Sequence, residues 1–133
     1  MWSDSTILEA IKNPSTEGYE IAIKSEEVTF LGVPGQPDFG NLFITFYPGD
    51  LVIELRSFKI YLQQFRQKVV SYERLANVIY ADLKKVYAPA RLRLVLILKP
   101  RGGISSRLTI DSDWKIRGGT EQFGDQVNNK DEW

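Results

Sequence analysis

Glu54-Leu55-Arg56-Ser57-Phe58-Lys59-Ile60-Tyr61 is where the chain changes its period. Before it, Asn41 to Tyr47 alternates, with Leu42, Ile44 and Phe46 on one face, as a half-buried strand does. After it, Phe58, Tyr61, Leu62, Phe65 and Val69 recur at i, i+3, i+4, i+7 and i+11, one stripe of a helix. Between them, Pro48-Gly49-Asp50 is a turn signal, and Leu51 to Glu54 reads as a short strand that pairs back as a hairpin. The octet thus crosses a strand end and a helix start, a junction that presents polar groups without breaking a core. Taken alone, Glu54, Arg56 and Lys59 are charges around a capped, solvated helix end.

The flanks follow the same logic. Tyr19 to Phe30 alternates in part and suggests a strand with an irregularity near Ser25 to Glu27. Leu31 to Gly40 holds three glycines and two prolines and reads as a loop. Tyr72, Leu75, Ala76, Ile79, Leu83, Val86 and Tyr87 form a second helical stripe. Ser71 is its candidate N-cap, Glu73 sits in the first turn where negative charge suits the helix dipole, and Pro89 ends it. In Arg91 to Leu98 the leucines at 92, 94, 96 and 98 take one side, while Arg91 and Arg93 belong to a solvated outer face. Pro100 to Gly103 is a tight loop, and a last strand is expected near 106–114. The order strand, strand, helix, helix, strand, strand is α+β: an antiparallel sheet covered on one face by two helices. Residues 1–18 form a polar N-terminal arm with at most a helical turn near Ile7 to Ile11. Residues 19–114 form the domain, and 115–133 a polar tail expected to be mobile.

Composition narrows the chemistry. A chain of 133 residues favours one domain with a real core. Lys plus Arg and Asp plus Glu each number 17, so no global field favours nucleic acid or an anionic membrane. With no cysteine and no histidine, the chain has no thiol nucleophile, no imidazole base and no disulfide, and a metal site is not expected. The start lacks a signal-peptide apolar run, so the cytoplasm is the expected location.

The octet resembles the signature of the QueF family. These nitrile reductases convert 7-cyano-7-deazaguanine (preQ0) to its aminomethyl form in queuosine biosynthesis, a tRNA-modification pathway. Arg56 stands where lysine is usual. Gly35-Gln36-Pro37-Asp38-Phe39 and Pro100-Arg101-Gly102-Gly103-Ile104-Ser105 resemble two further family loops, in the same order. The resemblance is to the single-module form and runs from about Thr29 to Ser105.

It implies the tunnelling fold, in which subunits of a homo-oligomer join their sheets into a barrel and the ligand lies between chains. It also implies roles. Ile53, Glu54 and Leu55 would lie beside the deazaguanine, and Glu73 would grip its purine-like edge. Arg56, Lys59 and Arg101 would hold the NADPH phosphates, and Asp38 would be the proton donor. The family cysteine falls on Leu31, and its histidine on Tyr72. Leucine has no lone pair, so a covalent thioimide is excluded.

Three functions remain open. One is a diverged member that binds a 7-deazaguanine, purine or pterin without nitrile reduction. Another is an NADPH-dependent reductase of a more electrophilic, imine-type heterocycle with Asp38 as acid. The third is a non-catalytic scaffold.

Overall fold

The alternating segments become β-sheet and the 3.6-period stripes become helices. The computed structural model describes residues 2–123. In chain order the elements are β1 (Ala10–Lys12), β2 (Ile21–Val33), β3 (Gln36–Tyr47), β4 (Leu51–Ile53), α1 (Leu55–Gln63), α2 (Tyr72–Tyr87), β5 (Arg91–Arg101) and β6 (Ile104–Asp111). β2, β3, β5 and β6 form one antiparallel sheet in that spatial order. Ile44 stands opposite Ile23 on one side and Leu94 on the other, so the apolar faces coincide across strands. Leu42, Ile44, Phe46, Leu92, Leu94 and Leu96 pack beneath Tyr61, Phe65, Leu75, Ile79 and Leu83 of the helical layer. The expected α+β architecture is the one observed. No helix among the described residues is long and apolar enough to cross a membrane.

Several local expectations need correction. Leu31 to Gly40 is not a loop. β2 runs to Val33 and β3 starts at Gln36, leaving only Pro34-Gly35 as the turn. Gly35 takes φ +77°, which a glycine adopts without strain. Pro37 lies in the part of β3 that pairs with β2 alone, since the β3–β5 ladder starts at Gly40↔Leu98. The irregularity near Ser25 is real: the β2–β3 register shifts between Ser25 and Val28.

β4 does not fold back on β3. It pairs with β1 through Ala10↔Ile53 and Lys12↔Leu51. The helical turn expected near Ile7 to Ile11 is instead a 3-10 turn at Ser5–Ile7, capped by the Asp4 carboxylate, followed by that strand. The N-terminal stretch is stitched to the domain at other points too. Trp2 stacks on Phe65 with ring centroids 5.5 Å apart. Ser3 Oγ donates to Asp82 Oδ2 over 2.9 Å, and Tyr61 Oη donates to the same oxygen over 2.6 Å. α1 also ends sooner than its stripe suggests. Residues 64–67 are turns that keep Phe65 fully buried, while Val69 is exposed.

Arg91 and Arg93 do not lie on a solvated face. Arg91 is 2% exposed, and its Nη2 pairs with Asp111 Oδ2 over 2.5 Å; Arg93 Nη1 reaches the same oxygen over 3.1 Å. Their partner comes 20 and 18 residues later, on β6. Tyr47 and Phe123 lay their rings against the Arg91 guanidinium. The last strand ends at Asp111. Beyond it, a 3-10 turn forms at Lys115–Arg117, and the Asp113 carboxylate accepts from the Gln122 and Phe123 N–H groups. Packing therefore continues to Phe123, and the rest of the expected tail lies outside the described residues.

Burial alone would push the Asp111 carboxyl up. The bonds from Arg91, the Asp113 N–H and Arg93 outweigh it and hold the group below the ordinary 3.8. A depressed folded pKa stabilises the fold above the unfolded value, and that contribution drains away as pH falls below about 4. Asp111→Asn leaves the buried Arg91 guanidinium without its counter-charge, a loss on the order of 3–5 kcal/mol. Urea denaturation at neutral pH is expected to show this drop, and the variant's stability is expected to fall less steeply than wild type between pH 5 and 3.

Candidate functional site

Leu31 is pinned by its backbone. Its N–H donates to the Lys68 carbonyl over 2.9 Å, and its carbonyl accepts from the Val70 N–H over 2.9 Å. The result is a parallel bridge between Leu31 and Val69. Directly after this bridge, Ser71 caps α2, its Oγ accepting from the Arg74 N–H over 3.2 Å. Tyr72 and Glu73 then fall on the first turn, next to the end of β2. Glu73 is exposed, and its carboxylate has no partner among the described residues. Tyr72 Oη hydrogen-bonds to Ser106 Oγ on β6.

Asp38 reaches the same end of the sheet from β3, opposite Phe30. A Cβ at Gly32 would come within 2.1 Å of Asp38 Oδ2, so the carboxylate folds directly over the β2 backbone. Arg101, at the end of β5, donates from Nη1 to Asp38 Oδ1 over 2.6 Å. Leu31, Asp38, Tyr72, Glu73 and Arg101 thus gather at one end of the sheet. Sequence reading missed Ser106 and Gly32. An isolated glycine inside an alternating run is a sign of close backbone approach, and that sign was available at Gly32.

The octet lies elsewhere. Glu54 caps α1 with its own side chain: Oε2 accepts from the Arg56 N–H over 2.7 Å and Oε1 from the Ser57 N–H over 2.9 Å. The Glu54 N–H donates to the Glu9 carbonyl over 3.2 Å, and Tyr87 Oη donates to that same carbonyl over 2.7 Å. Tyr87 is the last residue of α2, whereas Glu73 is near its start. At 1.5 Å per residue these two points are about 20 Å apart along the helix axis. Within one chain, Glu54 and Glu73 therefore stand at opposite ends of α2 and do not share a pocket.

The other octet residues divide. Ile53 is 4% exposed and packs in the core, while Leu55, Arg56 and Lys59 face solvent. Leu55 and Lys59 line a cleft of about 560 Å³ between α1 and the bulged part of β2. Arg56 and Lys59 have no ion-pair partner among the described residues, so the donor set suits a phosphorylated cofactor. Arg101 is already engaged by Asp38 and would have to share or release it to meet a phosphate.

A profile of the family described as QueF-like protein matches residues 37–117. The NADPH-dependent 7-cyano-7-deazaguanine reductase of Rhodopirellula baltica is 34% identical over 105 residues, covering 77% of this chain and 87% of the relative. The enzyme of that name from Wolinella succinogenes is 36% identical over 106 residues, covering 79% and 86%. That from Aquifex aeolicus is 36% identical over 108 residues, covering 80% and 84%. Among solved structures, the archaeosine synthase QueF-Like in the apo form superposes with a TM-score of 0.60 at 14% identity, covering 73% of this chain and 94% of that one. That likeness supports the fold alone. The profile covers most of the chain and these relatives match it along most of their length: the chain belongs to the QueF-like protein family.

Proposed function

We propose that this protein binds a 7-deazaguanine, or a related purine or pterin, through Glu73 and does not reduce a nitrile by the thioimide route. One observation carries the reading. The Glu73 carboxylate is unengaged on the first turn of α2, beside the pinned Leu31. A carboxylate so placed can accept two hydrogen bonds from an adjacent ring N–H and amino group. Tyr72, tied to Ser106, borders the same space and can donate or stack.

Glu54 and Leu55 belong to the other end of α2, so their part in the same site requires a second copy of the chain. A homo-oligomer with sites between subunits is consistent with that geometry. It is also consistent with the outer edge of β6 and that of β2 before Leu31, which pair with no strand among the described residues. Arg56, Lys59 and Arg101 are the residues that would hold NADPH, which supplies hydride when bound. The relatives' activity supports a ligand of the queuosine pathway, and the cytoplasm is the location that goes with this reading.

Leu31 excludes the covalent step that a thiol at this position would permit. A second reading has its own support. Asp38 and Arg101 are joined at 2.6 Å, so the acid and the cation that this reading needs lie together, and Arg101 would have to leave Asp38 for the cofactor before Asp38 could carry a proton. An imine-type acceptor, electrophilic without a thiolate, could be reduced there with Asp38 delivering the proton to nitrogen.

Calorimetric titration with 7-cyano-7-deazaguanine tests the main reading. Glu73→Ala is expected to weaken binding at least a hundredfold, because charged-group hydrogen bonds contribute about 1.5–3 kcal/mol each. Loss of the helix-dipole interaction should lower stability by no more than about 1 kcal/mol. Equal affinity in the variant would remove Glu73 from the site, and absence of binding in both proteins would leave the scaffold reading. Incubation of wild type with this nitrile and NADPH is expected to leave the 340 nm absorbance unchanged. Turnover at a rate typical of the reductases would overturn the exclusion.

A further inference from the structure

A polar side chain interrupts the apolar face of β6. Ser106, Leu108 and Ile110 alternate onto the side of the sheet that meets the helices. Leu98, the β5 residue opposite Ser106, packs on the same core. Ser106 is half-buried there, and a hydroxyl on an apolar face costs free energy unless it is hydrogen-bonded. Its partner is the Tyr72 hydroxyl, 34 residues away on the first turn of α2.

This bond ties together distant parts of the fold. The chain just before α2 is fastened to β2 through residues 68 and 70, whereas β6 is the strand at the opposite edge of the sheet. Tyr72 therefore reaches over the end of the sheet, its ring packed on the core and its hydroxyl held from β6. Ser106 stands level with Leu98 and, across the next ladder, with Gly40. Asp38 comes two residues before Gly40, on the same face and one pleat further out, joined to Arg101 over 2.6 Å. The two pairs differ in chemistry. The Asp38 charge is already met by Arg101. The hydroxyl pair is neutral and carries two protons: one makes the mutual bond, and the other is free to be donated.

We infer that Ser106 is a positioning residue: it holds the Tyr72 hydroxyl so that the pair donates its free proton to a hydrogen-bond acceptor, such as a nitrile, carried by the bound heterocycle. The inference rests on the reading that Glu73 grips that heterocycle, and adds which kind of substituent the site prefers. Tyr72 and Glu73 are consecutive on α2, so their side chains leave the helix about 100° apart. One ligand meets both at different edges, its N–H and amino groups at Glu73 and its acceptor at Tyr72. An uncharged acceptor suits this end of the sheet. An ammonium would face the Arg101 guanidinium and find the Asp38 carboxylate taken. A ligand without the acceptor leaves no hydroxyl stranded, because Ser106 and Tyr72 still satisfy each other. The preference is therefore that of one neutral hydrogen bond.

The test is a calorimetric titration of the full chain with two probes, 7-cyano-7-deazaguanine and 7-deazaguanine, which lacks the nitrile. Wild type, Ser106→Ala, Ser106→Thr, Tyr72→Phe and the double variant Ser106→Ala/Tyr72→Phe are compared. Wild type is expected to bind the nitrile about fivefold more tightly, the worth of one neutral hydrogen bond. Ser106→Ala and Tyr72→Phe are each expected to abolish most of that preference. Ser106→Thr, which keeps a hydroxyl on the strand, is expected to retain it. The double variant is expected to match either single one, because both remove the same interaction. The readout is the ratio of the two affinities, since a merely structural role for Ser106 would weaken both probes alike. Equal weakening of both by Ser106→Ala, or a preference that Ser106→Ala leaves untouched, overturns the inference while the heterocycle reading stands. Equal affinity of wild type for the two probes does the same. If wild type binds neither probe, the heterocycle reading falls and takes the inference with it.

Discussion

Two backbone hydrogen bonds organise this protein's candidate site. The Leu31 N–H and carbonyl bind the chain at residues 68 and 70, fastening the end of β2 to the segment that launches α2. Because those bonds use main-chain atoms, they hold whatever the side chain at position 31 is. Ser71 then caps the helix, and the first turn delivers Tyr72 and Glu73 beside the strand. The segment itself is steadied from the N-terminus. Trp2 stacks on Phe65, and its carbonyl accepts from Lys68 Nζ. An element that reads as a polar arm thus helps fix the backbone of the site's central strand.

Glu54 illustrates how one residue can satisfy two demands. Its side chain closes two of the open N–H groups at the start of α1. A carboxylate so engaged keeps a fixed direction, and a lone pair not used by the cap remains available to a ligand. Its distance from Glu73 along α2 divides the candidate residues into two half-sites. Under the proposed function, these two groups of residues could meet only where two copies of the chain bring opposite ends of their helical layers together.

Much of this was legible in the sequence, for identifiable reasons. Strict alternation in Arg91 to Leu98 and the stripe from Tyr72 to Tyr87 are period signals, and the structure follows both. What failed depended on partners distant in sequence or on the difference between composition and geometry. Prolines and glycines between Leu31 and Gly40 looked like a loop, yet only Pro34-Gly35 turns. Gly32 serves a close approach, and Gly40 meets the Ile97 carbonyl across the ladder. β4 chose β1 over β3, a choice made by contacts across the chain. Arg91 and Arg93 looked like solvated surface because Asp111, which neutralises them, comes a hairpin later. The apolar stripe past Gln63 continued in phase although the helix did not, since Phe65 reaches the core from a turn. The octet and its two companion loops were visible because they are motifs. Their division between the two ends of α2 was not, since a motif carries no distance.

The contact between Gly32 and Asp38 decides which substitutions this end of the sheet can accept. With no side chain at 32, the Asp38 carboxylate has settled into the space a Cβ would need, and Arg101 has closed on it from β5. Any side chain at 32 would collide with that arrangement. A substitution at position 31 leaves the acid where the glycine allows it to rest; one at position 32 must also dislodge an ion pair. Positions 32, 38 and 101 therefore answer to one another, and a change at the first is a concerted change at all three.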